Sequence, residues 1–184
     1  MYDENKNIVG GNATERALLT MISDREYKEF TDSVEVTNRK IFNSANKFSA
    51  VETSGKDGKI TYYKGAPEKL IDAAVSYETT NGIKPVEKEK LKEIVKSYAT
   101  KAMRVIATGY SKSALPEEGF PDDLVLVSLV AIRDDVRPEV PEAVAKMHEA
   151  GVQVMMVTGD VIDTAKAIAK DAGLILSLIH ISEP

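Results

Sequence analysis

The chain contains no cysteine and no tryptophan among its 184 residues. The lack of cysteine excludes disulfide bonds, a thiolate nucleophile and cysteine-ligated zinc, and it agrees with a reducing compartment. Any chemistry that the chain performs must therefore use oxygen and nitrogen groups.

Long hydrophobic runs are also missing. The longest one, over residues 124–132, is interrupted by Ser128, and it is far shorter than the about twenty residues that a helix needs to cross a bilayer core of ~30 Å. The first residues lack the basic and apolar regions of a signal peptide. We therefore expect neither a membrane span nor a secretion signal in this sequence.

The charge balance shows little excess of either sign. There are 24 Lys and Arg residues against 29 Asp and Glu residues, which gives a formal net charge of -5. No basic run is present that could follow a phosphate backbone, so nucleic acid is not expected as a partner. Hydrophobic residues at 43% and charged residues at 29% are ordinary for a folded chain, of one sizeable or two small domains.

Short strands and helices alternate in the first two thirds of the chain. The glycines of the segment 54–59 can supply the positive φ of a tight turn, which predicts a β-hairpin. Pro67 is suited to the first turn of a helix. Further predicted elements are a helix over 16–22 with a hydroxyl cap at Thr14, a strand over 34–42, a helix over 86–103, a strand over 105–110 and a surface connection over 111–123.

The pattern changes at about residue 123. Residues 124–132 are almost continuously apolar, which is typical of a strand covered by helices on both faces. Residues 152–157 predict a second buried strand, with Met155 and Met156 in the core. With helices before Gly151 and over 164–172, these strands form a βαβα unit, whose ligands usually bind beyond the carboxyl ends of the strands.

Two segments carry residues suited to binding a nucleotide. In the segment 64–68, Lys64 ends a strand, Gly65 permits a close backbone approach, and the following helix start favours anions, so a phosphate would fit. The alternative is an ordinary strand-to-helix turn with a solvated lysine. In the segment 42–49, Phe42 offers a ring for a base and Lys47 a cation, whereas the alternative is a core phenylalanine and a surface lysine.

These two segments belong to a series of short sequence motifs that follow one another along the chain. The motifs and their order resemble the nucleotide-binding domain of P-type cation-transporting ATPases, and the series continues into the phosphorylation domain of that family. The intact Lys-Gly-Ala-Pro-Glu motif is most similar to the calcium-pump branch, and the absence of a Ser-Glu-His-Pro motif separates the chain from the heavy-metal branch. The matching segments are GNATERALL (11–19), FNSANKFS (42–49), KGAPE (64–68), KAMRV (101–105), DDVR (134–137) and TGD (158–160).

The resemblance implies an α/β fold class in two parts. Residues 1–123 would form an α+β nucleotide-binding domain with an antiparallel sheet. Residues 124–174 would form part of a phosphorylation domain, which has a Rossmann-like fold of the haloacid-dehalogenase type. The tail 175–184 no longer follows the family pattern, and a non-native origin is one interpretation of it.

The resemblance also implies a site for ATP with Mg²⁺. Phe42 would stack on adenine, Glu15 would hydrogen-bond near its amino group, and Arg104 would reach towards the phosphates. The remaining implied residues are Lys47, Lys64 and Gly65 in the adenosine pocket, and Asp134, Arg137, Thr158, Gly159 and Asp160 around the phosphoryl group and its magnesium. Taken singly, Asp134 could belong to a solvated turn and the segment 158–160 could be a helix cap.

Two family segments are absent from this sequence. The phosphorylated aspartate of the family lies in an Asp-Lys-Thr-Gly-Thr segment, which does not occur here, and neither does the later Gly-Asp-Gly-x-Asn-Asp loop. We therefore expect the isolated chain to bind ATP without completing a catalytic cycle. Asp135 and Val136 also stand where the calcium-pump branch usually has two prolines.

The leading interpretation is a fragment from the cytoplasmic side of a cation pump, with calcium as the expected ion. Its partners would be ATP and the missing membrane, actuator and phosphorylation-domain parts of the parent. Two alternatives remain open: a stand-alone nucleotide-binding regulator, and a phosphatase of the haloacid-dehalogenase type. The phosphatase would need an Asp-x-Asp nucleophile motif, which this sequence lacks.

Overall fold

The computed structural model describes residues 2–3, 7–101, 103–133, 136–159 and 162–174. These residues divide into two compact units, one of residues 1–93 and 105–132 and the other of residues 94–104 and 133–184. The mixed α/β class expected from the sequence is confirmed. The strands are β1 (Val34–Lys40), β2 (Phe48–Gly55), β3 (Gly58–Gly65), β4 (Ser76–Thr79), β5 (Gly82–Pro85), β6 (Arg104–Ser111) and β7 (Val125–Ile132).

The described helices alternate with these strands and follow them along the chain. None of them is long and apolar enough to cross a membrane. The helices are α1 (Ala13–Leu19), α2 (Asp24–Ser33), α3 (Pro67–Ala73), α4 (Lys88–Ala99), α5 (Val140–Glu149) and α6 (Ile162–Asp171).

The strands form one sheet in the order β1-β2-β3-β6-β7-β4-β5. Strand β2 pairs antiparallel with both β1 and β3, and β3 pairs antiparallel with β6. Strand β4 pairs antiparallel with β5 and parallel with β7. The β2–β3 pair confirms the predicted hairpin: Gly55 lies opposite Gly58, which adopts φ 87° after the turn.

The core of the first unit lies where α3 covers the sheet. Leu70 and Ile71 of this helix are completely buried, and so is Leu124 at the start of β7. Burying each such side chain contributes about 1.5–3 kcal/mol of hydrophobic free energy. Pro67 begins α3 as the sequence predicted, and it is itself buried. The last strand residues before this helix are therefore fixed in place by its packing.

The start of α1 differs from the prediction. Asn12, and not Thr14, caps the helix: its side chain accepts a hydrogen bond from the Glu15 amide at 2.9 Å, and the Glu15 carboxylate accepts one from the Asn12 amide at 3.2 Å. This reciprocal arrangement satisfies two amides that the first helical turn leaves without partners. Thr14 lies inside the helix, where no cap is needed.

The apolar strand β7 was predicted to be buried on both faces, and this was wrong. Leu126 is buried, but Val127 is 46% exposed, and the other residues of the strand are half-buried. The strand belongs to the sheet of the first unit through its pairing with β4. The division of the chain at residue 123 into two family domains stays a prediction, and the tail 175–184 lies outside the described residues.

The predicted buried strand over 152–157 is also wrong. These residues have no regular structure, and Met155 and Val157 are 77% and 90% exposed. An apolar segment becomes a strand only where another strand leaves an edge open to pair with it. Strand β7 has no open edge, because β6 and β4 occupy its two sides. The flanking helices α5 and α6 do form, and Gly151 adopts the expected positive φ of 74° after α5.

Candidate functional site

Two segments distant in sequence meet at the carboxyl end of β3. Lys64 Nζ lies 3.3 Å from Glu15 Oε1 in the first turn of α1. Both side chains keep contact with solvent, at 36% exposure for the lysine and 46% for the glutamate. The pair therefore offers a cation and a carboxylate to a molecule that approaches from solution.

The Glu15 carboxylate is held by more than its lysine. The hydrogen bond from the Asn12 amide is the largest cause of a lowered pKa for Glu15, and the positive charge of Lys64 is the second. Both contacts favour the charged form of the carboxyl group. At neutral pH Glu15 is an anion that can accept a hydrogen bond from a ligand.

A tight turn over residues 43–47 lies against the end of β3. The Lys47 carbonyl accepts a hydrogen bond from the Ala66 amide at 2.9 Å. A Cβ on Gly65 would lie 2.5 Å from that carbonyl oxygen and 2.6 Å from Phe48 Cβ, closer than real Cβ contacts come. Only glycine leaves room for this approach, so Gly65 sets the backbone distance between Lys47 and the strand that carries Lys64.

Lys47 also has a carboxylate partner. Its Nζ lies 3.4 Å from Glu68 Oε1 at the start of α3, and both side chains are 53% exposed. Exposed pairs of this kind contribute little free energy, typically about 0.2–1 kcal/mol. An anionic ligand with several charges can therefore displace Glu68 from Lys47 at small cost.

Phe42 lies just beyond β1, which ends at Lys40 and not at residue 42 as predicted. Its side chain is 57% exposed, whereas Phe48 is 2% exposed and packs against Phe120 with ring centroids 4.3 Å apart. The alternative interpretation of Phe42 as a core residue is thereby excluded. The ring of Phe42 is accessible to a planar ligand.

The other candidates belong to the second unit or lie outside the described residues. Arg104 is the first residue of β6 and is exposed. Arg137, Thr158 and Gly159 are exposed as well. Their proposed contacts with phosphate stay predictions, and Asp134 and Asp160 lie outside the described residues.

Sequence reasoning missed three residues that hold this site together. These are Asn12, Asn43 and Glu68: the first caps the helix of Glu15, the second closes the turn of Lys47, and the third pairs with Lys47. The spacing Asn-x-x-Glu over 12–15 is a capping-box signal that could have identified Asn12. The partner of Lys47 could not be read from spacing, because it depends on how the turn meets α3.

The described residues form a mixed α/β fold, and comparison with known proteins gives the family of the chain. The family model described as "P-type ATPase, cytoplasmic domain N" matches residues 2–139. The chain belongs to this family.

Individual relatives extend the comparison. The chain is 34% identical to the probable calcium-transporting ATPase 6, plasma membrane-type, of Oryza sativa subsp. japonica, over 94% of this chain and 18% of the relative. It is 34% identical to the plasma membrane calcium-transporting ATPase 3 of Rattus norvegicus, over 90% of this chain and 14% of the relative. It is also 34% identical to a calcium-transporting ATPase of Bacillus subtilis, over 91% of this chain and 20% of the relative. The chain thus spans a fifth or less of the length of these relatives.

Proposed function

We propose that this chain is the ATP-binding part of a P-type ATPase that transports calcium. The observation that carries the proposal is the convergence, at the end of β3, of the Lys64–Glu15 pair and the Lys47 turn that lies on Gly65. A strand end that gathers two cations, with an accessible ring on Phe42 in the same unit, suits a ligand with both a base and phosphates.

Each residue has a distinct part in this binding. Phe42 stacks on adenine, Glu15 accepts a hydrogen bond near the adenine amino group, and Lys47 and Lys64 attract the negative charge of the nucleotide. The lysines bind as partly solvated point charges, which can shift between the carboxylate partners and the ligand.

The remaining residues would act at the phosphates. Arg104 reaches towards the phosphate chain. On the family resemblance, Asp134, Arg137, Thr158, Gly159 and Asp160 would act on the transferred phosphoryl group of ATP and on the Mg²⁺ bound with it. These roles agree with phosphoryl-transfer chemistry, in which cations and hydroxyl groups stabilise the charge on the transferred group.

Calcium as the transported ion is supported by the names of the relatives, which include plant, animal and bacterial calcium-transporting ATPases. The parent would couple ATP hydrolysis to ion movement through a phosphorylated aspartate. The Asp-Lys-Thr-Gly-Thr segment that carries this aspartate does not occur in the present sequence. The isolated chain therefore binds nucleotide but forms no phosphoenzyme, because it lacks the acceptor.

Two measurements on the isolated chain test the proposal. Calorimetric titration with ATP and Mg²⁺ should detect weak, saturable binding. Incubation with γ-labelled ATP, followed by acid precipitation, should leave no label on the protein. Absence of saturable binding would overturn the assignment of the nucleotide site, and acid-stable label would overturn the account of the missing acceptor.

A further inference from the structure

The backbone of Lys47 is held in an unusual conformation. Among the described residues, Lys47 is the only residue other than glycine with a positive φ, which is 59°. A lysine has no side-chain group that stabilises this left-handed region locally, as asparagine or aspartate has. Such a conformation persists only where surrounding contacts hold it.

Three hydrogen bonds supply these contacts. The Lys47 amide donates to the Asn43 carbonyl at 2.8 Å, and the Asn46 amide donates to Asn43 Oδ1 at 2.7 Å. The Ala66 amide donates to the Lys47 carbonyl at 2.9 Å. Asn43 takes part in the first two bonds, through its backbone and its side chain. It is exposed, and the hydrogen bond of its side chain goes to Asn46 and not to a lysine.

We propose that Asn43 is a positioning residue for nucleotide binding, which acts by closing the turn that holds Lys47 in its left-handed conformation. The inference rests on the proposed function, because it assigns Asn43 a part in the same site. The Cα–Cβ bond of a residue points in a different direction in the left-handed and right-handed regions. Loss of the turn would therefore redirect the Lys47 side chain away from the Lys64 end of β3.

Substitution of the Asn43 side chain tests its part in the turn, because the backbone hydrogen bond of Asn43 remains. Alanine would remove the Oδ1 acceptor and leave the Asn46 amide without a partner in the turn, whereas serine would retain an oxygen acceptor at nearly the same place. The apparent Kd for a nucleotide rises in proportion as the binding-competent state becomes less populated. Loss of one such capping bond should raise the Kd of ATP about threefold to tenfold.

A double-mutant cycle tests whether Asn43 acts through Lys47. Calorimetry would give the Kd of ATP for the wild-type chain, Asn43→Ala, Asn43→Ser, Lys47→Ala and the double variant Asn43→Ala/Lys47→Ala. We expect Asn43→Ala to bind more weakly, Asn43→Ser to recover most of the affinity, and the double variant to bind as Lys47→Ala does alone. Independent sites would instead give additive losses, and additive losses would overturn the inference.

A second measurement does not depend on ATP. Hydrogen exchange at the Lys47 and Ala66 amides should be slow in the wild-type chain and in Asn43→Ser, and faster in Asn43→Ala, with the core amide of Leu70 unchanged. Equal exchange in all three chains would overturn the inference even where ATP binds. Failure of the wild-type chain to bind ATP would overturn the proposed function. Titration of the wild-type chain alone would show this failure, before any variant is compared.

Discussion

Lys64 and Glu15 form an ion pair at 3.3 Å although 49 positions separate them in the sequence. The sheet fixes one partner, since Lys64 follows the buried Tyr63 in β3, and the capping of α1 fixes the other. The charge that the site offers to a ligand is therefore determined by the fold of the first unit. Changes at these residues should alter binding without unfolding the chain.

Reversal of the charge at Lys64 should abolish most of the ATP affinity. In Lys64→Glu an attraction becomes a repulsion within a few Å of the ligand, which should raise the Kd about tenfold or more. Displacement of a fluorescent nucleotide analogue by ATP, at two salt concentrations, measures the effect.

Lys90→Glu is the matched control. Lys90 also pairs with a glutamate, at 3.4 Å from Glu87, but it lies on the solvated helix α4. The same change of net charge there should alter the affinity little. If both variants lost affinity equally, and the losses vanished together at high salt, only net charge would be sensed and the proposed site would be wrong.

Removal of the exposed ring at Phe42 should weaken ATP binding by about 1–3 kcal/mol, the free energy of stacking a base on an aromatic side chain. Folding should survive, because the ring is 57% exposed. Calorimetry and circular dichroism on the same sample of Phe42→Ala separate binding from folding.

Phe30→Ala provides the comparison for this ring. Phe30 is 48% exposed on α2 and packs edge-on against Tyr62 at 5.7 Å. Its loss should leave the ATP affinity unchanged. Equal affinity in Phe42→Ala and the wild-type chain would remove Phe42 from the site.

Neutralisation of Glu68 should strengthen ATP binding. Glu68 competes with the phosphates for Lys47, so Glu68→Gln should lower the Kd about 1.4-fold to fivefold, which corresponds to the about 0.2–1 kcal/mol typical of an exposed pair. Glu142→Gln, which breaks the exposed Glu142–Lys146 pair in α5, changes the net charge equally and should have no effect. A weaker affinity in Glu68→Gln would show that Glu68 supports the ligand and does not compete with it.

Local signals predicted much of the first unit. The turn glycines identified the β2–β3 hairpin, and Pro67 identified the start of α3, because both depend on the backbone of a few neighbouring residues. Helix α2 was not predicted, although Ser23 and Glu26 form a capping box at its start. The β4–β5 hairpin, whose turn is formed by Thr80 and Asn81, was not predicted either.

Features that depend on distant partners were less predictable. The strand expected over 152–157 requires an open sheet edge, and the pattern of apolar residues gives no information on whether one exists. At the site, the sequence indicated Lys47 and Lys64 as cations, but their pairing with Glu68 and Glu15 arises from the way two turns and a helix meet. Spacing alone cannot give such contacts.

Stability should depend on pH through Glu15. Its pKa is lowered in the folded chain by the Asn12 amide and Lys64, so its stabilising contribution is present above the ordinary carboxyl range of about 4.3. It is lost as the pH falls through the lowered folded value. Urea unfolding should therefore show Glu15→Gln to be less stable than the wild-type chain at pH 7, with the difference shrinking as the pH falls below the ordinary carboxyl range. A difference that stayed the same as the pH fell would contradict this origin.

Addition of one methyl group at Gly65 should disturb both stability and binding. A Cβ there would lie 2.5 Å from the Lys47 carbonyl oxygen and 2.7 Å from Phe48 Cα, and backbone atoms cannot rotate away as a side chain can. Gly65→Ala should cost about 1–3 kcal/mol of unfolding free energy, as overpacking does, and it should weaken ATP binding because the Lys47 turn must move from the strand.

Gly55→Ala is the control for this methyl group, since Gly55 also ends a strand of the same hairpin. Its nearest neighbours would be Val34 Cγ1 at 3.1 Å and the Ser33 carbonyl oxygen at 3.3 Å, so shifts of a few tenths of an ångström would make room for it. We expect a smaller loss of stability there and an unchanged ATP affinity. Urea unfolding and ATP titration of both variants measure these effects. If Gly65→Ala kept its full stability and ATP affinity, the close approach of Lys47 to β3 would not determine the geometry of the site.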